Sequence, residues 1–252
     1  MPRSAASQLA SGVVRETVNA FGLALVRGDF PADSVLPKEE ELAARFAVGR
    51  STLREAVKVL SGKGLVRTAR RYGSRVCPRA DWNLLDPDVL SWHVAEPHDV
   101  LAFLDEVTEL REMIEPEAAA LAARRATPKE AARLVALAEL LISTPPEAAV
   151  EIDVSFHLGV LDAARNRLLG AFGRSLGVML RAHFRLSQRY LSGPARYNPD
   201  DKHLLLARAI AIRDADAARE QSENMLRVVR KSVRSAMRAN ENKSAVAARD
   251  KR

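Results

Sequence analysis

The stretch Leu36-Pro37-Lys38-Glu39-Glu40-Glu41-Leu42-Ala43-Ala44-Arg45-Phe46-Ala47-Val48-Gly49-Arg50-Ser51-Thr52-Leu53-Arg54-Glu55-Ala56 decides how the first third of the chain folds. Residues 38–46 read as a short helix. Three acids fill its first turn, where the helix dipole favours negative charge, and Leu42, Ala43 and Phe46 form its apolar side. Ala47-Val48-Gly49 is a tight break. A second helix then runs from Arg50 to about Ser61, burying Leu53, Val57 and Leu60, and Gly62 and Gly64 end it. Upstream, Leu9, Val13, Val14, Val18, Phe21 and Leu25 recur at helical spacing over residues 8–27, and Gly28 supplies the stop. Downstream, Leu65-Val66-Arg67-Thr68 and Ser74-Arg75-Val76 read as a two-stranded hairpin with Gly73 at its tip.

Helix, helix, break, helix and basic hairpin is the order of a winged helix-turn-helix. The helix after the break fits the major groove of double-stranded DNA, and the helix before it braces the backbone. Charge agrees with this. Residues 45–79 hold ten basic side chains against one acid, Glu55, whereas residues 81–226 hold 16 basic and 23 acidic. A basic module on an acidic body expects a polyanion at the first module only. The candidate DNA-contacting residues are Lys38, Arg45, Arg50, Ser51, Thr52, Arg54, Arg71 and Gly73. Arginine suits bidentate contact with guanine, and hydroxyls suit phosphates or bases. One recognition helix per chain is too small to specify a genomic site, so a homodimer on a pseudo-palindromic operator is expected.

From 98 to 236 the chain reads as helices only, over 98–124, 128–142, 146–164, 167–191, 200–213 and 215–236, with Pro116 expected to kink the first. The fold class is therefore mainly α: an N-terminal winged helix-turn-helix followed by an all-α helical bundle. The expected boundaries are 8–78 for the DNA-binding domain, 79–97 for a connector with Trp82 and Trp92 at its hydrophobic junction, 98–236 for the bundle, and 237–252 for a disordered basic tail. The single cysteine, Cys77, excludes an intramolecular disulfide framework and fits a reducing, cytoplasmic setting. No apolar run of 18 residues or secretory signal is visible, so no membrane partner is expected.

Within the bundle, Asp153 and His157 share a helix face at i, i+4, and His203 opens a later helix. One carboxylate and two imidazoles suit a divalent ion such as zinc, nickel, manganese or iron. The same spacing also occurs as ordinary surface polarity. Arg111 has two readings: pairing with Glu115 one turn on, or a bidentate clamp on a ligand carboxylate. Arg181 is a second candidate for the ligand pocket. His183 is read as a satisfied helix histidine or a substitute metal ligand. A metal-dependent enzyme acting on a small organic acid is the alternative to a regulator, although no P-loop or nucleophile elbow accompanies the cluster. An architectural DNA-binding protein without an effector is a third possibility.

Residues 36–43, 48–56 and the run Leu60…Gly64-Leu65-Val66 resemble the DNA-binding domain of GntR-type regulators. Gly49 stands where such proteins usually carry serine. Glu40 takes the place of an arginine that binds DNA in some members, putting a carboxylate that repels phosphate there instead. Residues 111–127, Asp153-Val154-Ser155-Phe156-His157 and His203…Ala209-Ile210 resemble the all-helical (FCD) ligand-binding domain of the FadR branch. That resemblance implies one divalent metal per chain, held by Asp153, His157 and His203, anchoring a small carboxylate effector that Arg111 also contacts. It places a further histidine at position 225, where this chain has Met225, a poor ligand for such ions. Met225 and the segment Trp82…Trp92 are similar to regulators of galactonate and related sugar-acid operons. The implied function is a cytoplasmic, dimeric, non-enzymatic repressor that binds operator DNA and responds to a small carboxylate.

Overall fold

The computed structural model describes residues 12–69, 73–95, 100–191 and 201–249, with side chains left out for 69 and 241–249. Two compact units emerge, Met1–Glu96 and Pro97–Arg252.

The N-terminal unit begins with α1 (Val13–Arg27), α2 (Glu39–Arg45) and α3 (Arg50–Gly62). Gly28 ends α1 at φ 87°, a left-handed cap that glycine adopts without strain. At the α2–α3 break Ala47 takes φ 52°. Strands β1 (Val66–Ala69) and β2 (Gly73–Val76) pair antiparallel, with Val66 opposite Val76 and Ala69 opposite Gly73. Gly73 thus opens β2, in register, at φ 77°, and the hairpin tip at 70–72 lies outside the described residues. Residues 34–36 add a rung to this ribbon that the sequence reading lacks. Val35 bridges Arg75, and the Leu36 amide donates to the Ser74 carbonyl at 2.8 Å.

Phe21, Leu53, Ala56, Leu60 and Leu65 are fully buried at the centre of this unit. Segment 79–97, read from the sequence as a connector, supplies α4 (Pro87–Ala95) and packs into the same core through Trp82, Val89 and Trp92. The indole of Trp82 donates to the Cys77 carbonyl at 3.1 Å. The ring of Trp92 lies against Gly22, where an added Cβ would sit 2.5 Å from Cε3. Both indoles therefore belong to the N-terminal unit. They are too large and apolar to leave on a solvated linker.

Among the described residues the elements of the C-terminal unit are all helices: α5 (Val100–Arg125), α6 (Pro128–Ser143), α7 (Pro146–Ala163), α8 (Arg167–Tyr190), α9 (Lys202–Ala211) and α10 (Ala215–Arg249). Prolines open α6 and α7 where their missing amide costs nothing. Thr127 and Glu130 close a reciprocal capping box at α6. Helix α5 continues through Pro116. It buries Ala118, Ala119, Ala120, Ala122 and Ala123, small side chains that let neighbouring helices approach closely. Helix α10 lies along α5, tied by Arg230 to Glu112 at 2.6 Å and to Asp105 at 2.7 Å. The expected end of this last helix at 236, followed by a disordered tail, is corrected: the helix runs on to Arg249. Nothing after Ala215 breaks a helix, since Gly and Pro are absent and Ala, Arg, Lys and Glu recur. Among the described residues no helix is long and apolar enough to cross a membrane.

Candidate functional site

The bundle interior holds an unusual density of charge. Helix α7 places Asp153 and His157 one turn apart, and the start of α9 brings His203 to the same point. His157 Nε2 and His203 Nε2 each lie 3.1 Å from Asp153 Oδ1. One potential ligand atom from each of the three residues falls within 4.8 Å of the others, and all three residues are buried. The expected triad therefore converges. Phe156 meets both imidazoles nearly edge-on, at 5.7 Å from His157 and 5.1 Å from His203, and limits their rotation. Met225 is buried in the apolar cluster that contains Phe156, Leu206 and Ala218, as suits a thioether in a core.

A second layer comes from α5. Glu115 accepts from His157 Nδ1 at 3.1 Å and from Arg111 Nε at 2.7 Å. Of the two sequence readings for Arg111, the pairing with Glu115 is the one seen here. It does not exhaust the guanidinium, because Arg111 Nη1 is buried without a partner. Arg111 also lies over the Phe184 ring at 5.3 Å. Sequence reasoning attached Glu115 to Arg111 but missed its grip on His157. The two residues are 42 positions apart, on different helices, and no local spacing signals the contact.

The electrostatics follow from this crowding. Burial acts to raise the Glu115 carboxyl, but the charges of Arg111 and His157 outweigh it and hold it at about 2. Burial likewise opposes ionisation of Asp153, and His203 and His157 overcome it, keeping the carboxyl well below its ordinary range. Burial disfavours charge on His157, yet Glu115 and Asp153 raise it to about 9 against the opposing Arg111. His157 is thus an imidazolium using both ring nitrogens as donors. His183 goes the other way: burial and Arg111 push it down to about 3, so it is neutral.

Arg181 is not gathered into this cluster. It is half-exposed, and its Nε donates to Glu151 at 2.8 Å and 3.0 Å. Glu151 stands two residues before Asp153, roughly opposite it around α7 and on the solvated side, where it pairs with Arg181.

On the N-terminal unit, α3 presents Arg50, Ser51 and Arg54 to solvent, with Thr52 half-buried. The two arginines are not free. Arg50 pairs with Glu40 at 2.7 Å, and Arg54 pairs with Glu39 at 2.9 Å. These links between α2 and α3 went unread in the sequence, where the acids were assigned to the helix dipole and Glu40 to repulsion of phosphate. Arg45 is held by Asp29 at 2.5 Å and lies over the Phe30 ring at 4.4 Å. Lys38 caps the start of α2 and is exposed. Arg71 lies outside the described residues.

Comparison with known proteins matches residues 23–76 to the family model "Bacterial regulatory proteins, gntR family" and residues 106–228 to the FCD domain. The galactonate operon transcriptional repressor of Escherichia coli (strain K12) is 33% identical over 83% of this chain and 91% of its own length. The uncharacterized HTH-type transcriptional regulator YieP of the same organism is 32% identical over 90% of this chain and 98% of its own. A solved structure described as "Lar controls the expression of the Listeria monocytogenes agr system and mediates virulence" is 18% identical. It covers 91% of this chain and 98% of that one with a TM-score of 0.54, a likeness of fold. The helix-turn-helix with its β ribbon and the helical C-terminal unit agree with these matches, and the chain belongs to the GntR family of bacterial transcriptional regulators, with an FCD domain as its effector-binding part.

Proposed function

We propose that this regulator is a cytoplasmic homodimeric repressor whose affinity for a pseudo-palindromic operator is set by a small hydroxylated carboxylate, a sugar acid, bound beside one divalent metal in the helical C-terminal unit. The observation that carries the reading is the buried cluster of Asp153, His157, His203, Glu115 and Arg111. Charges are costly to bury, and a core that only needed to pack would use apolar residues of similar volume. The similarity to a galactonate operon repressor supports the effector class.

The donor set fits such an ion. Two imidazoles and a carboxylate suit zinc, nickel, manganese or iron, and His203 Nδ1 is buried without a protein partner. Asp153, His157 and His203 would hold the metal, which would supply a Lewis-acidic anchor for a carboxylate and its neighbouring hydroxyl. Glu115 accepts the Nδ1 proton of His157 and so directs the other ring nitrogen to the triad, the usual work of a carboxylate behind a metal-binding histidine. Arg111 keeps Nη1 as a donor for the effector carboxylate. The site is read as one for binding rather than catalysis.

The test combines metal analysis with calorimetry. Purified protein is loaded with zinc and titrated with galactonate, gluconate and lactate, alone and with operator DNA. Wild type is expected to retain one metal per chain, and the His157→Ala, His203→Ala double variant none. Equal metal content in the two proteins would overturn the metal site. Operator affinity indifferent to every acid tested would overturn the effector class.

A further inference from the structure

Two helical turns of α8 carry polar atoms that neither the triad nor Arg111 uses. His183 Nδ1 and Ser187 Oγ are buried and have no protein partner. They lie four residues apart and so share a face of the helix. On α5, Thr108 Oγ1 touches His183 Nε2 at 3.2 Å. Thr108 stands three residues before Arg111, and Arg111 lies over Phe184, the neighbour of His183. The pair therefore borders the buried cluster.

The proton positions can be worked out from these contacts. Thr108 Oγ1 is 2.6 Å from the Leu104 carbonyl, an acceptor that offers no proton. A hydroxyl has one hydrogen, and here it is committed to Leu104. The contact with His183 must then run the other way, with Nε2–H donating to the threonine oxygen. The neutral ring carries only one N–H, so Nδ1 is left as a bare lone pair. Neither Arg111 Nη1 nor Ser187 Oγ, the neighbouring buried atoms without partners, hydrogen-bonds to it. A buried acceptor of this kind asks for an O–H or N–H from something other than the protein.

We infer that Thr108 locks His183 in the Nε2–H tautomer, and that His183 Nδ1 is the acceptor that requires a hydroxyl on the bound carboxylate. The inference rests on the effector reading above and adds the element that discriminates among organic acids. A carboxylate satisfies Arg111 in any such acid. Only a hydroxy acid also satisfies His183, and an analogue lacking the hydroxyl leaves a buried acceptor unpaired. Galactonate, gluconate and lactate meet this requirement; a fatty acid or a simple aliphatic acid does not.

Two measurements test it on the intact, zinc-loaded protein. Nitrogen-15 NMR of the histidine side chains reads the tautomer directly, and the expected result for His183 is Nε2–H in wild type and loss of that exclusive state in Thr108→Val. Calorimetry compares galactonate with its monodeoxy analogues and lactate with propionate. Wild type should prefer the hydroxy acid by about tenfold or more. His183→Gln, which keeps a donor for Thr108 but removes the Nδ1 acceptor, should lose the part of that preference that the metal does not supply. His183→Asn, which restores an acceptor near Nδ1, should recover part of it. An Nδ1–H tautomer in wild type, or a hydroxyl preference that His183→Gln leaves unchanged, would overturn this inference while leaving the effector reading standing. Failure of wild type to bind any hydroxy acid would overturn both.

Discussion

The carboxylates that hold the recognition-helix arginines should act as a brake on DNA binding, and Glu40→Gln should release it. Arg50 and Glu40 leave 65% and 71% of their side chains exposed, so their pair is solvent-screened. Such pairs are worth about 0.2–1 kcal/mol, and Arg50 must give this up to reach a base or phosphate. A carboxylate held about 8 Å from a phosphate in water adds about 0.5 kcal/mol of repulsion. The two effects together come to about 1 kcal/mol, or about fivefold in affinity. Glutamine keeps the shape and an acceptor oxygen but removes the charge. The assay is fluorescence anisotropy on an operator selected from a random pool, with salt varied from about 50 to 200 mM. Glu40→Gln should bind about fivefold tighter at low salt, with a slope steeper by up to about one ion. A tenfold loss of affinity with a changed base preference would refute the argument. It would mean that Glu40 reads a base, as a carboxylate does when it accepts from cytosine N4, or that it holds Arg50 in its productive pose.

Alanine at two glycines should have opposite effects on the N-terminal unit. Gly62 has nothing within 4 Å of an added Cβ, so Gly62→Ala should stabilise by up to about 1 kcal/mol, whereas Gly22→Ala drives a methyl into the Trp92 ring and should cost a net 1–2 kcal/mol or so. Urea unfolding followed by tryptophan fluorescence reads both, and a stabilised Gly22→Ala would refute the packing argument. The metal-free bundle should be most stable near pH 6.5. His157, raised to about 9, contributes fully below 6.5 and loses its contribution as pH climbs through 9, whereas His183, lowered to about 3, withdraws stability as pH falls from 6.5. Below the ordinary carboxyl range, protonation of Glu115 and Asp153 deepens the loss. Urea midpoints by circular dichroism that stay flat between pH 6.5 and 9 would contradict this. Zinc binding at pH 7 should release a proton from His157, because a ligating nitrogen cannot keep its hydrogen. Calorimetric enthalpies that do not depend on the buffer's ionisation enthalpy would show otherwise.

Much of this architecture was legible because proline and glycine punctuate the chain. Pro128, Pro146 and Gly28 mark helix boundaries that the structure reproduces within a residue or two. The far end of α10 carries no such mark, and its polar composition passed for a tail. The triad was legible in part: Asp153 and His157 announce a shared face by their spacing, but His203 comes to them only by tertiary packing. The hold of Glu115 on His157 and the contact of Thr108 with His183 gave no signal, since each depends on a partner on another helix. Arg181 misled for the same reason. A guanidinium on a bundle helix looks the same in sequence whether it turns inward or toward an exposed Glu151. Trp82 and Trp92 were placed at a junction because the surrounding segment is polar, whereas their indoles close the N-terminal core.

The charged centre of the helical unit also bears on how the protein is able to change. Alanine-rich helices around Phe156 and Leu134 would pack as well or better about a plain apolar middle, and swapping buried ion pairs for hydrocarbon often stabilises a protein by about 1–4 kcal/mol. If the proposed effector site is right, selection for stability and selection for response pull in opposite directions at Arg111, Glu115, Asp153 and His157, all buried. Variants chosen only for heat resistance should accumulate substitutions there first. They would emerge as sturdier proteins that still grip DNA but no longer respond to the effector.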